Sequence, residues 1–485
     1  MKFATLIAAA LAAAPIPEAA AHPGMGDTIK EIERIAARGW GSSSQNNGGS
    51  QGSSWNSGSS SSSSSWSNGQ SSGSGGSSGG SSWSNGQTSG NSQTSGSSSG
   101  WQTGDNFNPN QLLGDLRTLS DKSLTRVGSD IKKILQGTGN PESRERYFGV
   151  PSMNSARCKR DTCCIWQYIS NELQDLFRGD SGRCSKWARY AVRMGFHDAG
   201  TWSTATASQP SGADGSIILA GELSRGENLG LQDMGVKYQS VYDKYHTQLG
   251  YNQVTMADLI QMGANIAAVV CPLGPRVRSF VGRKDSTTAN PNKLLPNVNS
   301  DALTLINLFK DKTIGPDDLV ALIGAHTTSQ QNHVNTDRAG DPQDSTPGVW
   351  DVLFYQETLG TAPDRVYKFA SDVALSQHPL TQPAFQAFAS ASGQSAWNVD
   401  YARAYIRLSL LGVNNINDLT ECTKVLPQPV GGFRHSDQSR FSKWLQSDDN
   451  SWTSKQISKE IENGGKISTP DNKIPTRRGP WRKWW

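Results

Sequence analysis

Two histidines each stand directly before an oxygen-bearing residue, and one of them has a permanent cation one helical turn upstream. The first segment reads Arg193-Met194-Gly195-Phe196-His197-Asp198 and the second Leu322-Ile323-Gly324-Ala325-His326-Thr327. Arg193 and His197 are four positions apart, so on a helix their side chains share a face. A fixed positive charge beside an imidazole lowers its pKa and favours a neutral base. A neutral base next to a cation suits cleavage of an O–O bond: the base takes a proton from one oxygen and the cation stabilises charge on the other. Arg-x-x-x-His alone also describes many surface pairs. His326 closes a run whose start is marked by Pro316, Asp317 and Asp318, residues suited to a helix N-terminus. Leu319, Leu322, Ile323 and His326 lie on one apolar face of that run. A histidine there is either a satisfied core residue or a ligand for haem iron in a dry pocket. A ligand imidazole needs its second nitrogen held, best by a carboxylate, and Asp372 in Phe369-Ala370-Ser371-Asp372 is the candidate.

Each histidine is followed by an oxygen-rich loop. Ser211-Gly212-Ala213-Asp214-Gly215-Ser216 comes after Asp198, and Asp344-Ser345-Thr346-Pro347-Gly348-Val349-Trp350-Asp351 comes after Thr327. Carboxylate, hydroxyl and carbonyl oxygens on flexible turns are what calcium selects. An Asx or capping turn accounts for either loop alone. Two copies, each tied to a histidine, favour two cation sites.

Around these residues the pattern predicts an all-α domain. Helical runs are expected over 165–177, 185–197, 255–270, 317–326 and 400–411, with few strand signals. Residues 106–157 read as a helical segment preceding the domain. Leu112, Leu113, Leu116 and Leu119 share one face, as do Ile131, Ile134 and Leu135, and Gly137-Thr138-Gly139-Asn140-Pro141 ends the pattern. The domain itself is placed at 158–430, followed by a polar extension over 431–485 with a basic, aromatic tail. Residues 41–104 hold no Lys, Arg, Asp or Glu and are mostly Ser and Gly. Such a stretch buries too little apolar surface to offset its ordering entropy, so 41–105 is read as a disordered linker. Its spaced Trp55, Trp66, Trp83 and Trp101 raise the alternative of adhesion to a cell-wall polysaccharide.

Residues 1–21 carry Lys2, an apolar run from Ala4 to Ala14 and small residues at Ala19-Ala20-Ala21, the pattern of a secretory signal. Residues 22–40 hold one short amphipathic helix. Export agrees with the six cysteines: an even number suggests three disulfides, with fifteen connectivities open. No Cys-x-x-Cys or His-x-x-x-His occurs, which argues against zinc and against a histidine metallohydrolase. The formal charge of +4 indicates neither nucleic-acid binding nor a preference for acidic partners, and no segment has membrane-spanning length.

Residues 158 to about 430 resemble the fungal secreted haem peroxidases, class II of the plant-type peroxidase superfamily. The resemblance implies a two-lobed, all-α fold with haem b between the lobes, two calcium ions, and oxidation of small organic reductants, phenols by default, in one-electron steps with hydrogen peroxide. It places the distal residues at Arg193, Phe196 and His197, with Asn228 orienting the histidine and Glu222 behind it. His326 falls on the axial haem ligand and Asp372 on its carboxylate partner. The implied distal calcium ligands are Asp198, Gly212, Asp214 and Ser216; the proximal ones are Thr327, Asp344, Thr346, Val349 and Asp351. The implied disulfides are Cys158–Cys164, Cys163–Cys422 and Cys184–Cys271. A secreted monomer is expected. The competing reading from another class is a wall-associated or glycan-associated protein that keeps a peroxidase scaffold with little turnover.

The chain departs from the family's specialised members. Manganese-oxidising members place glutamates seven and eleven residues before the distal histidine and an aspartate six after the proximal one; here these positions are Tyr190, Lys186 and Asn332. A lysine there would repel the metal, so no manganese site is expected. The surface tryptophan of lignin-oxidising members, five residues before the proximal histidine, is replaced by Ala321. Trp202, Trp350 and Trp397 remain as candidates for a surface radical. Gln343 stands where many relatives stack an aromatic near the proximal histidine.

Overall fold

The computed structural model describes residues 107–209 and 211–475. The expected signal at 1–21, the short helix at 22–40, the Ser/Gly/Trp tract at 41–105 and the basic tail all lie outside the described residues. The helices that position the site are α1 (Arg126–Leu135), α2 (Thr162–Phe177), α3 (Lys186–Ala199), α4 (Gln232–Tyr242), α5 (Met256–Val270), α6 (Ala302–Asp311), α7 (Pro316–Ile323), α8 (Ala370–Gln377), α9 (Gly393–Leu408), α10 (Gln438–Leu445) and α11 (Trp452–Glu462). The all-α class holds. Among the described residues, strands are limited to two antiparallel pairs, Phe280–Val281 with Thr420–Glu421 and Gln330–Gln331 with Asp341–Pro342.

Local sequence explains most boundaries. Asp161 caps α2 by accepting from Cys163 N, and Thr255 caps α5 by accepting from Asp258 N. Pro316 opens α7 with Asp317 and Asp318 in its first turn, where carboxylates meet the positive end of the helix dipole. Every residue of α5 is buried, as an all-round apolar helix requires, and α3 packs along it. The three disulfides join Cys158 to Cys164, Cys163 to Cys422 and Cys184 to Cys271. The second closes 259 residues of chain and the third 87, so each removes substantial freedom from the unfolded state.

Residues 107–157 pack into the same core as the domain. Leu113, Leu116, Ile131, Ile134 and Leu135 join its hydrophobic cluster, and Arg407 donates to the Leu135 carbonyl at 3.0 Å. The helix expected over 112–119 is only a 3-10 turn, Gly114–Arg117. Two local causes are visible. Gly114 has φ +49° with the Val413 carbonyl 2.2 Å from where a Cβ would stand, a conformation that suits glycine and breaks a helix. The Asp115 carboxylate is drawn away to the amides of Ile416 and Asn417.

The extension beyond 430 contains an ordered helical pair. Phe441, Trp444, Leu445, Ile457, Ile461, Ile467 and Ile474 form a second, separate apolar cluster. Three arginines of the main domain hold this module at the ends of its helices, where carbonyls lack intrahelical partners. Arg365 donates to the Trp444 carbonyl at 3.0 Å, Arg189 to the carbonyls of Ile461 and Glu462, and Arg183 pairs with Asp437 at 2.9 Å.

Trp202, Trp350 and Trp397 do not reach the surface as radical sites require: they are 8%, 0% and 0% exposed. Trp350 and Trp397 stack on each other beneath α7, and Trp397 Nε1 donates to the Ala321 carbonyl at 2.9 Å. Ala321 is itself fully buried.

The module's attachment should be sensitive to acid. Arg183 Nη2 lies 2.6 Å from His435 Nδ1, so that nitrogen must be unprotonated to accept. Burial, then Arg183, pushes the His435 pKa down to about 4. An exposed histidine in a released segment titrates near 6.5. The released form therefore binds a proton that the docked form refuses between those values, and docking weakens as pH falls through that window. Opening of α10 and α11, read as the ratio of observed to intrinsic amide exchange rate at each pH, should rise by roughly tenfold or more between neutral pH and the lower end of the window. In His435→Gln the rise should flatten; an unchanged pH response would show that another group titrates.

Candidate functional site

α3 carries Arg193, Phe196 and His197, and the structure brings Asn228 to them. His197 Nδ1 lies 2.8 Å from Asn228 Oδ1. An amide oxygen only accepts, so the proton sits on Nδ1 and Nε2 keeps its lone pair. Arg193 Nε donates towards that Nε2 at 3.1 Å, while Nη1 and Nη2 are spent on the carbonyls of Leu229 and Glu227. Burial and Arg193 hold the His197 pKa well below its usual value, so the imidazole is a neutral base. Burial also pushes the Arg193 pKa down to about 10, which leaves the guanidinium charged at neutral pH. Phe196 meets His197 edge-on and stacks against Phe309, closing the pocket with apolar surface.

Glu222 meets Asn228 through its main chain. Asn228 Nδ2 donates to its main-chain carbonyl at 2.9 Å, not to its carboxylate. The carboxylate instead accepts from Asn290 N at 2.7 Å and Arg225 Nη1 at 3.0 Å. Sequence reasoning missed Asn290, whose side chain reaches Thr201 Oγ1, the Gly212 carbonyl and Asp214 Oδ1. It lies far from all of them in sequence and in no recognisable motif.

His326 sits in a 3-10 turn, Gly324–Thr328, that follows α7 directly. Its Nδ1 lies 3.0 Å from Asp372 Oδ2, on α8, which leaves Nε2 for the cavity. The edges of Phe354 and Phe369 flank the ring, at 5.7 Å and 5.6 Å between centroids. Gln343, which cannot stack, instead reaches Asp372 Oδ2 from 3.5 Å. Phe354 and Phe369 therefore supply the aromatic packing that Gln343 lacks.

The two oxygen-rich loops converge beside the histidines. In the first, Asp198 Oδ2 accepts from Gly215 N at 3.2 Å and Asp214 Oδ1 from Ser216 N at 3.1 Å. Asp198 Oδ1, Asp214 Oδ2 and Ser216 Oγ are buried without a protein partner. Gly212 has φ +98° with the Leu411 carbonyl 2.2 Å from where a Cβ would stand, so no other residue fits the turn. Burial, then Asp214, pushes the Asp198 pKa far up, and burial pushes Asp214 up to about 6. In the second loop Thr327 Oγ1 bonds Asp344 and approaches the Val349 carbonyl at 3.4 Å. Thr346 Oγ1 bridges Asp344 Oδ1 at 3.2 Å and Asp351 Oδ1 at 3.1 Å. Burial and Asp351 push Asp344 far up, and burial raises Asp351 to about 6. Among the described residues no group of three or more His, Cys, Asp or Glu converges as a metal site. Each loop offers two carboxylates completed by hydroxyls and carbonyls, a donor set for a hard cation.

One cavity of about 950 Å³ receives both histidines. Leu295, Phe309, Leu319, Leu322 and Leu375 line it, together with Arg193, His197, His326 and Asp372. A carboxylate-backed imidazole facing an apolar chamber of that size fits a haem macrocycle. Lys186, Tyr190, Asn332 and Glu462 belong to the same wall. Among the described residues no helix is long and apolar enough to cross a membrane.

Comparison with known proteins agrees with this geometry. The family model described as peroxidase matches residues 169–391. The chain is 31% identical over 291 residues to a peroxidase of Arthromyces ramosus, covering 55% of this chain and 77% of that one. It is 30% identical to the low-redox potential peroxidase of Taiwanofungus camphoratus, covering 55% and 78%, and 28% identical to ligninase C of Trametes versicolor, covering 59% and 80%. A neutral base paired with a cation shares one apolar chamber with a carboxylate-backed histidine, inside a chain that aligns along most of these relatives: this protein belongs to the peroxidase family, in its fungal class II branch, and is a hydrogen-peroxide-dependent peroxidase.

Proposed function

We propose that the enzyme oxidises phenols, one electron at a time, with haem b held by His326 and two calcium ions held by the oxygen-rich loops. The observation that carries the reading is the placement of two unlike histidines on one cavity, one neutral beside Arg193 and the other bonded to Asp372. Haem, when bound, supplies the redox chemistry that stores the oxidising power of peroxide and returns it to donors. The protein's own part is proton handling. His197 Nε2 takes the proton of a peroxide oxygen, Asn228 keeps the Nδ1–H in place, and Arg193 stabilises charge on the departing oxygen. Asp372 fixes the His326 tautomer and raises its basicity as a ligand. Phe196, Phe309 and the leucines exclude water from the reacting atoms.

The calcium reading rests on the buried oxygens of Asp198, Asp214 and Ser216 that lack a protein partner and on the carboxylate pairs Asp198/Asp214 and Asp344/Asp351, whose charges a cation would offset. Gly212, Thr327, Thr346 and Val349 complete the two sets. Export is supported by three disulfides, which persist in oxidising compartments.

His326→Ala should abolish haem retention, read as loss of the Soret band in purified protein; a normal band would remove the axial-ligand assignment. His197→Ala should keep the band but slow the stopped-flow reaction with peroxide by about 10²-fold to 10⁴-fold, the usual weight of a positioned base. An unaltered rate would exclude His197 as that base. Chelation with EGTA should lower the thermal midpoint by at least about 3 °C, reversed by added calcium; an unmoved midpoint would make both loops ordinary turns.

A further inference from the structure

The C-terminal module does more than cover surface. Its last helical residue, Glu462, lines the same cavity as His197 and His326. Arg189 fixes the main chain there by donating to the carbonyls of Ile461 and Glu462, and Arg189 is held in turn by Gln330 Oε1 at 2.6 Å. The carboxylate therefore has a set position but only loose partners. Tyr190 OH is 3.4 Å and Asn332 Nδ2 3.3 Å from Glu462 Oε1. Bonds of that length are weak, and a well-aligned O–H donor would displace them. The side chain is half-buried, so it is open to a ligand in the cavity. Tyr190 stays an O–H donor beside it, since burial and the Glu462 charge push the phenol up to about 12.

A phenol that gives up one electron must also give up its O–H proton. Glu462 is a weakly partnered carboxylate on the same cavity, and the peroxide step makes no use of it. We propose that Glu462 is the proton acceptor for the phenolic donor, a role that rests on the reading of the enzyme as a phenol oxidase. The donor O–H hydrogen-bonds the carboxylate. The electron passes to the oxidant left by peroxide, the O–H bond breaks, and a carboxyl O–H forms on Glu462. The product is a neutral phenoxyl radical, and Glu462 returns its proton to water at the cavity mouth. Tyr190 and Asn332 are positioning residues for that carboxylate.

The test compares donors that do and do not release a proton on oxidation. Glu462→Gln keeps shape and main-chain docking but cannot take a proton. It should lower the ratio of kcat/KM for a methoxyphenol to that for ferrocyanide by roughly tenfold or more. Binding is read separately on the resting holoenzyme with para-nitrophenol, at a pH where the free phenol is neutral. Its absorption band should shift to the red on binding to the wild type and lose most of that shift in Glu462→Gln. An unchanged ratio would falsify the proposal, and a parallel fall for both donors would reduce Glu462 to a structural wall. Should the wild type oxidise neither donor, the phenol-oxidase reading fails, and the nitrophenol titration alone decides whether the carboxylate binds a phenol.

Discussion

The hydrogen bond from His197 to Asn228 is the constraint on which the distal side depends. It assigns the imidazole proton to Nδ1, and only that tautomer leaves Nε2 able to receive a proton. The bond is not isolated. Asn228 is held by the Glu222 carbonyl, the Glu222 carboxylate by Asn290 N, and the Asn290 side chain by Thr201, Gly212 and Asp214. Asp214 shares its loop with the atoms that receive Asp198, the residue after His197. Two routes, one covalent and one through hydrogen bonds, thus tie the base to the same oxygen-rich loop. Disturbing that loop would move the imidazole and its partner together, so the proposed cation site and the proposed base share one support.

The proximal side uses the opposite electrostatics. His326 faces a carboxylate, with Gln343 also bearing on that carboxylate and two phenylalanine edges on the ring. A carboxylate makes an imidazole a stronger electron donor, whereas burial and a guanidinium keep the other imidazole uncharged while an amide oxygen fixes its tautomer. The residue type is the same and the roles differ by environment alone. α7 delivers His326 through a 3-10 turn, and Thr327 anchors that turn in the second loop. The two halves therefore share a plan, a helix end followed by an oxygen-rich loop, with different partners for the nitrogen that does not face the cavity.

Sequence reasoning reaches the parts of this arrangement that lie close together in the chain or repeat a spacing. Arg193 and His197 share a helical face, Asp198 and Thr327 adjoin the histidines, and α2, α3, α5, α7 and α9 follow their apolar periodicity. Parts that depend on distant residues stay hidden. Asn290 carries no motif, and the Glu222 contact runs through a carbonyl that every residue possesses. The exposure of Trp202, Trp350 and Trp397 could not be read from residue type, since tryptophan serves cores and surfaces alike. The C-terminal module looked polar because its apolar cluster is seven residues spread among charged ones. Its docking relies on arginines bonding helix-end carbonyls, an interaction without a sequence signature.

The proposed role of Glu462 would make that module part of donor selection. Relatives at nearly the same identity carry the names low-redox potential peroxidase and ligninase C, so similarity of this size does not choose a substrate. The peroxidase model stops at residue 391, and Glu462 lies well beyond it. Arg193, His197, His326 and Asp372 stand in the matched stretch, whereas Tyr401, Tyr405, Leu408 and Glu462 line the cavity from beyond it. Tyr190 and Asn332 stand where manganese-oxidising relatives place carboxylates, and here they flank a carboxylate delivered from α11 instead. Lys186 lines the same wall, and a cation there disfavours metal dications while leaving neutral phenols unaffected. The proposed phenolic donor would satisfy both charges at once, because it would meet the carboxylate as a hydrogen-bond donor and present no charge to the lysine.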